Sequence, residues 1–148
     1  MRLYSLLLLT LCTLTGCREP LPPLTGQEHT PLENWSFVGA RYPCLLELRR
    51  KQRPVIRVNC FAVDGVLHTH SNRFAGVINF FGESWVTAVA RDNRVRVKLD
   101  DRIYPLRAMR IIDGRRREFI LKARGYDPIP DGIVVFQLLA RARSDESG

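Results

Sequence analysis

Long apolar runs are scarce in this sequence. The most sustained, Leu3 to Leu14, is interrupted by Tyr4, Ser5, Thr10 and Thr13, and it falls short of the roughly 20 apolar residues that a membrane-spanning helix needs. No Gly-x-Ser-x-Gly nucleophile elbow, no phosphate-cradling glycine loop and no internal repeat occurs. The serine-hydrolase and P-loop signatures are therefore missing. Acidic residues are few, with 15 Asp+Glu against 23 Lys+Arg, a formal net charge of +8. What is present is ordinary for a globular chain: 148 residues, 45% hydrophobic and 26% charged. That suffices for one compact domain and rules out whole-chain disorder, a collagen-like repeat or a coiled coil.

The N-terminus carries the most specific motif. Arg2 followed by Leu3–Leu14 has the form of a secretion signal with a short positive region and an apolar stretch. Leu14-Thr15-Gly16-Cys17 follows directly, and it resembles the lipobox of bacterial lipoproteins. That resemblance implies a signal peptide over 1–16, lipidation at Cys17 and attachment to the membrane by several acyl chains, more than one being needed for stable anchoring. Arg18 stands where the family's inner-membrane retention signal has Asp. The expected location is the cell envelope, at the outer membrane rather than the inner, with a periplasmic domain. Nucleic acid is a poor partner there. Pro20, Pro22, Pro23, Gly26 and Pro31 make 17–31 an expected extended tether. The folded domain is expected over 32–140, with a polar tail over 141–148.

The rest of the chain reads as strands. Leu45 to Arg50 and Val55 to Val63 are strand-like on either side of Lys51-Gln52-Arg53-Pro54. A hairpin centred on Gln52 sets Leu48 opposite Ile56, Leu46 opposite Val58 and Cys44 opposite Cys60. On the other face it sets Glu47 opposite Arg57, an attractive cross-strand pair. In that register Cys44 and Cys60 can form a disulfide, which an oxidising envelope permits; two reduced, buried thiols are the other reading. Asp64-Gly65 is a two-residue hairpin loop, so Val66 to Ser71 returns beside Val58 to Val63. Arg94 to Leu99 alternates charged and apolar residues, Asp100-Asp101 turns it into Arg102 to Ile112, and Ile133 to Leu139 closes the chain as a buried strand. Trp35 to Ala40 is an additional edge-strand candidate. Ser84 caps a helix from Trp85 to about Arg91, with Trp85, Ala88 and Val89 on one face. A second helix starts at Asp113 or Gly114, with the pair Glu118–Lys122 and a stripe of Phe119, Ile120 and Ala123. The expected fold is mainly β: a small six-stranded antiparallel split β-barrel with one or two short helices.

In order, the first hairpin, the Asp-Gly turn, Leu67-His68-Thr69-His70-Ser71-Asn72-Arg73, Trp85 leading a short helix, Asp92 to Val97 and Tyr104 to Ile111 resemble the FMN-binding split β-barrel superfamily. The likeness is especially to its short deazaflavin-dependent nitroreductase-like and pyridoxamine-phosphate-oxidase-like members. The resemblance implies FMN or a deazaflavin as cofactor, a flavin-type oxidoreductase if the chain is enzymatic, and a homodimer. It places the cofactor phosphate at Thr69, Ser71, Asn72 and Arg73, whose hydroxyl, amide and guanidinium donors suit an anion. Trp85 would wall an aromatic ring. A polar loop and a core tryptophan are the plain structural reading of the same residues.

His68 and His70 share one strand face, but His-x-His alone lacks the third or fourth ligand of a metal site; partly exposed barrel histidines, or histidines lining a ligand pocket, fit better. Basic residues form three groups: Arg49-Arg50-Lys51-Arg53-Arg57, Arg91-Arg94-Arg96-Lys98 and Arg115-Arg116-Arg117. They are solvated faces, or a patch for anionic lipid or lipopolysaccharide, where each cation near the surface contributes about 1 kcal/mol. Two functions therefore stand side by side. One is an envelope lipoprotein binding a flavin-like or other planar anionic ligand; the other is a non-catalytic module contacting anionic lipid, lipopolysaccharide or a protein partner.

Overall fold

The computed structural model describes residues 20–73 and 84–141. The expected signal peptide and lipidation site, Cys17, and residues 142–148 of the expected tail lie outside them. Six strands run β1 (Tyr42–Leu48), β2 (Val55–Val63), β3 (Val66–His70), β4 (Arg94–Leu99), β5 (Arg102–Arg110) and β6 (Val135–Ala140). Among the described residues, helices α1 (Trp85–Arg91) and α2 (Gly114–Ala123) join them. The strands close into an antiparallel barrel in the order β1-β2-β3-β6-β5-β4.

Alternation makes the barrel. Every second residue of β4, Val95, Val97 and Leu99, is buried, while Arg94, Arg96 and Lys98 between them are half-buried. Leu46, Cys60, Leu67, Val97 and Leu106 fill the interior with the buried α1 residues Val86, Ala88 and Val89. A second cluster lies outside the wall, where Ile120 and Leu121 of α2 cover Phe61, Ile133 and Val135. Both helices start as their caps require: Ser84 Oγ accepts from Thr87 N at 3.2 Å, and Asp113 Oδ1 from Arg116 N at 2.7 Å. The α2 stripe differs from the expected one. Phe119 is 55% exposed and Leu121 is buried beside Ile120, because the helix meets the wall one residue further round.

The Asp64–Gly65 turn has positive φ at both residues (51° and 75°), the type I′ geometry that joins β2 to β3 without a bulge. The first hairpin differs from expectation by two residues. Cys44 faces Val58, Leu46 faces Ile56 and Tyr42 faces Cys60. The connection is longer than a three-residue turn, since Leu48 N already donates to the Pro54 carbonyl at 3.0 Å and Arg53 takes a left-handed φ of 44°. A shift of two preserves which face each residue occupies. Cys44 and Cys60 thus remain on the inner face as diagonal neighbours, 5.9 Å apart at Cα, and are joined by a disulfide. The Glu47–Arg57 pair is lost: Glu47 faces Val55 on β2 and Arg96 on β4.

Two segments before β1 also differ from the sequence reading. Trp35 to Ala40 forms a turn instead of a strand. Asn34 Oδ1 accepts from Ser36 N and Oγ, and Trp35 packs edge-on to Tyr104 at 5.0 Å. Residues 20–31 are extended but lie against the barrel. Leu21 bridges Val55, Glu28 bridges Ile103, and Leu24 is buried with Val55 and Ile103. The described domain therefore includes this strap, ahead of the expected start at residue 32.

The disulfide spans a sequence separation of 16, for which loop closure in the unfolded chain corresponds to about 3 kcal/mol. Cys44→Ser/Cys60→Ser is expected to lose about that much stability in urea unfolding. Thiol titration of denatured wild-type protein should find neither residue reactive before reduction. Two reactive thiols would show the bridge unformed.

Candidate functional site

β2 outlasts β3. Its nine residues pair with β1 over Val55–Cys60, but β3 pairs with it only over Cys60–Val63. Beyond that point β3 gives way to Ser71-Asn72-Arg73, and a cleft of about 550 Å³ opens beside Arg57–Asn59. Its far wall is Trp85 together with Tyr126, Pro130 and Ile133 from the loop between α2 and β6.

Backbone contacts hold this opening in shape. Ser71 N donates to Val134 O at 2.9 Å, and Ser71 Oγ accepts from Val134 N at 2.9 Å while donating to Asn72 O. The loop presses on the strand exit so closely that a Cβ at Gly132, where φ is +76°, would sit 2.7 Å from the Arg73 carbonyl oxygen. Only glycine fits there. Arg117 Nε donates to Ile133 O at 2.9 Å, fastening the same loop to α2.

Of the residues the family resemblance points to, Ser71, Asn72, Arg73 and Trp85 line the cleft together. Thr69 does not: it is 0% exposed, and its hydroxyl donates to the Asn59 carbonyl at 2.9 Å. Its parity with Cys60 turns it into the barrel. Trp85 is half-buried and serves both roles, packing 5.3 Å from Phe136 while forming cleft wall. Arg57, Asn59, His70 and Tyr126 were not singled out as cofactor ligands from sequence. The unequal lengths of β2 and β3 were the available signal for the first two. Tyr126 is brought in by a loop whose course the sequence does not reveal.

Among the described residues, the lining carries two arginines and a histidine, and no carboxylate. His70 Nδ1 lies 2.8 Å from the Ser71 carbonyl; a carbonyl only accepts, so Nδ1 holds the proton. Nε2 then offers its lone pair to Tyr126 Oη at 3.3 Å. His68 is set likewise by the Val66 carbonyl at 2.9 Å, and its buried Nε2 has no hydrogen-bond partner among the described residues. The two imidazoles flank Phe61 at 5.6 and 5.8 Å. Arg124, 7% exposed, lays its guanidinium 5.5 Å from the Phe61 ring centre and 5.9 Å from that of Tyr126, contacts of the cation–π kind. The polar atoms here can orient a ligand, hold a proton between His70 and Tyr126, and attract negative charge. Among the described residues no three His, Cys, Asp or Glu side chains gather as metal ligands.

Burial holds both histidines below their ordinary range; their carbonyl partners oppose this, while Arg116 near His68 and Arg124 near His70 add to it. The unfolded chain takes up those protons near pH 6.5, the native chain only at lower pH. Stability is therefore full above about pH 6.5 and declines as pH falls through the window below it, levelling once the native imidazoles also titrate. Urea midpoints measured from about pH 7.5 to 5 should show this decline, and His68→Asn/His70→Asn should flatten it. An unchanged profile in the double variant would refute the assignment. No protein-family model matches the chain, and a comparison with the curated proteins finds no match.

Proposed function

We propose that the protein is an envelope-tethered binding module whose barrel takes a planar anionic ligand of the flavin mononucleotide or deazaflavin class in the cleft at the end of β3. The observation that carries this reading is the composition of that cleft. Trp85 and Tyr126 supply flat walls, and Arg57 and Arg73 supply guanidinium groups, around a space of about 550 Å³. That volume lies within the range of small-molecule sites. Arginine forks suit a phosphate, and the aromatic faces suit a ring system.

A bound flavin would supply redox chemistry. The chain's part would be to orient the ring against Trp85, neutralise the phosphate with Arg73 and Arg57, and present the Tyr126–His70 pair as a proton relay. A homodimer would cover the exposed apolar side chains of Met109, Ile112, Phe119 and Leu139. Lipid attachment at Cys17 would hold the domain at the outer membrane, facing the periplasm. The second reading, a non-catalytic module for anionic lipid, lipopolysaccharide or a protein partner, is favoured by the gathering of Arg49, Arg53, Arg94, Arg96 and Arg141 near the pairing of β1 with β4.

Titration with FMN, followed by quenching of flavin and tryptophan fluorescence, tests the first reading. Binding should be saturable, and Asn72→Ala/Arg73→Ala should weaken it about tenfold, the scale of one charge-assisted hydrogen bond. Colourless protein with no titratable affinity for FMN or a deazaflavin would defeat the proposal.

A further inference from the structure

A second recess, of about 460 Å³, lies across β2 from the cleft. The two share a wall made by Arg57, Val58 and Asn59. The recess opens for the same reason as the cleft, because a strand pairing stops short. β1 and β4 pair from Leu48–Val95 as far as Leu45–Lys98. Continued, that register would bring Cys44 to Leu99 and Pro43 to Asp100. Pro43 has no amide hydrogen to carry the ladder on, and Asp100 turns away with a left-handed φ of 50°. β1 meanwhile stays beside β2 as far as Tyr42, so its first residues border open space on the β4 side.

Alternation decides what the recess presents. Pro43, Leu45, Arg57, Asn59 and Lys98 have the parity of the outer face, opposite to that of buried Cys44 and Cys60. In one row across three strands Arg57 is paired with Leu45, and Leu45 with Lys98. Neighbouring strands lie about 4.8 Å apart, which sets the backbones of Arg57 and Lys98 roughly 10 Å apart. Leu45 between them is backed by the strap cluster of Leu24, Val55 and Ile103, and Pro43 extends this apolar floor. Asp100 stands at the far end, where its Oδ2 accepts the Tyr42 hydroxyl. A carboxylate holding one such bond keeps acceptor sites for other hydroxyls.

An apolar floor, a carboxylate and an ammonium are the groups that hold a base, a ribose diol and a phosphate. Arg57 lines both spaces, on the ridge where a linker between them would cross. We infer that the ligand is a dinucleotide, with its flavin half in the cleft, its adenosine half in this recess and its pyrophosphate over Arg57. The inference rests on the reading of the cleft as a flavin site and specifies the ligand as flavin adenine dinucleotide (FAD) in place of the mononucleotide. The volume of the recess is in the range of small-molecule sites, and two strand spacings is a distance that a pyrophosphate and its flanking sugar arms bridge.

Calorimetric titration of the protein with FMN and with FAD, at equal ionic strength, tests this. FAD should bind at least about tenfold more tightly, the scale of one further charge-assisted hydrogen bond. Lys98→Gln/Asp100→Asn alters the recess and leaves the cleft untouched; asparagine tolerates the left-handed φ and keeps a side-chain oxygen for Tyr42. This variant should bind FMN as the wild type does, which also reports that it is folded, and should lose the preference for FAD. Equal affinity of the wild type for both flavins, or a preference that survives in the variant, would overturn the recess as a subsite and leave the cleft reading standing. Failure of both flavins to bind the wild type overturns the cleft reading and this inference together.

Discussion

A sheet of six strands has two edges to satisfy, and this one satisfies both by pairing β1 with β4 over Leu45–Leu48. Closure turns the alternating side chains of every strand into an inside and an outside, and the apolar interior depends on it. The seam also carries a buried ion pair. Glu47 is 3% exposed and sits directly across from Arg96. A carboxylate buried to that degree is tolerated only with partners on its oxygens. It has them from β4 and from the Leu24 amide of the strap. The ladder, the ion pair and the strap are therefore one unit.

Closure at one seam leaves freedom at another. Because β3 has five residues against nine in β2, the wall is doubled for only part of its height, and the cleft occupies the remainder. Its floor is set by the Ser71–Val134 hydrogen bonds and the Gly132 approach to Arg73, so its width is a property of strand lengths and one glycine. The aromatic and cationic groups are then placed by elements whose positions are fixed for other reasons: α1 plugs the interior, and α2 shields Phe61.

Much of this was legible in the chain. The period-two pattern of Arg94 to Leu99, the Asp64–Gly65 turn and the Ser84 cap are local signals, and local signals locate elements well. The face shared by Cys44 and Cys60 was also readable, because it depends only on parity. What escaped was set by distance. The first-hairpin register turned on how Pro54 and Arg53 shape the connection, so Glu47 was paired with Arg57 before β4 could supply Arg96. A proline-rich stretch is extended whether it is free or packed, so the strap over Leu21–Glu28 could not be told from a tether. Thr69 was grouped with Ser71 by chemistry, although alternation sends it inward. Arg124 reaches Phe61 from the C-cap of α2, and Tyr126 joins that cluster from a loop with no periodic pattern.

The strap's route governs how mechanical load enters the fold. A pull on the chain ahead of Pro20 is borne first by the Leu21–Val55 bridge and then by the bond from the Leu24 amide to Glu47. Tension is thus delivered to the β1–β4 junction, through the same carboxylate that holds Arg96. The Ser71–Val134 contacts lie elsewhere on the wall and take no part in this path.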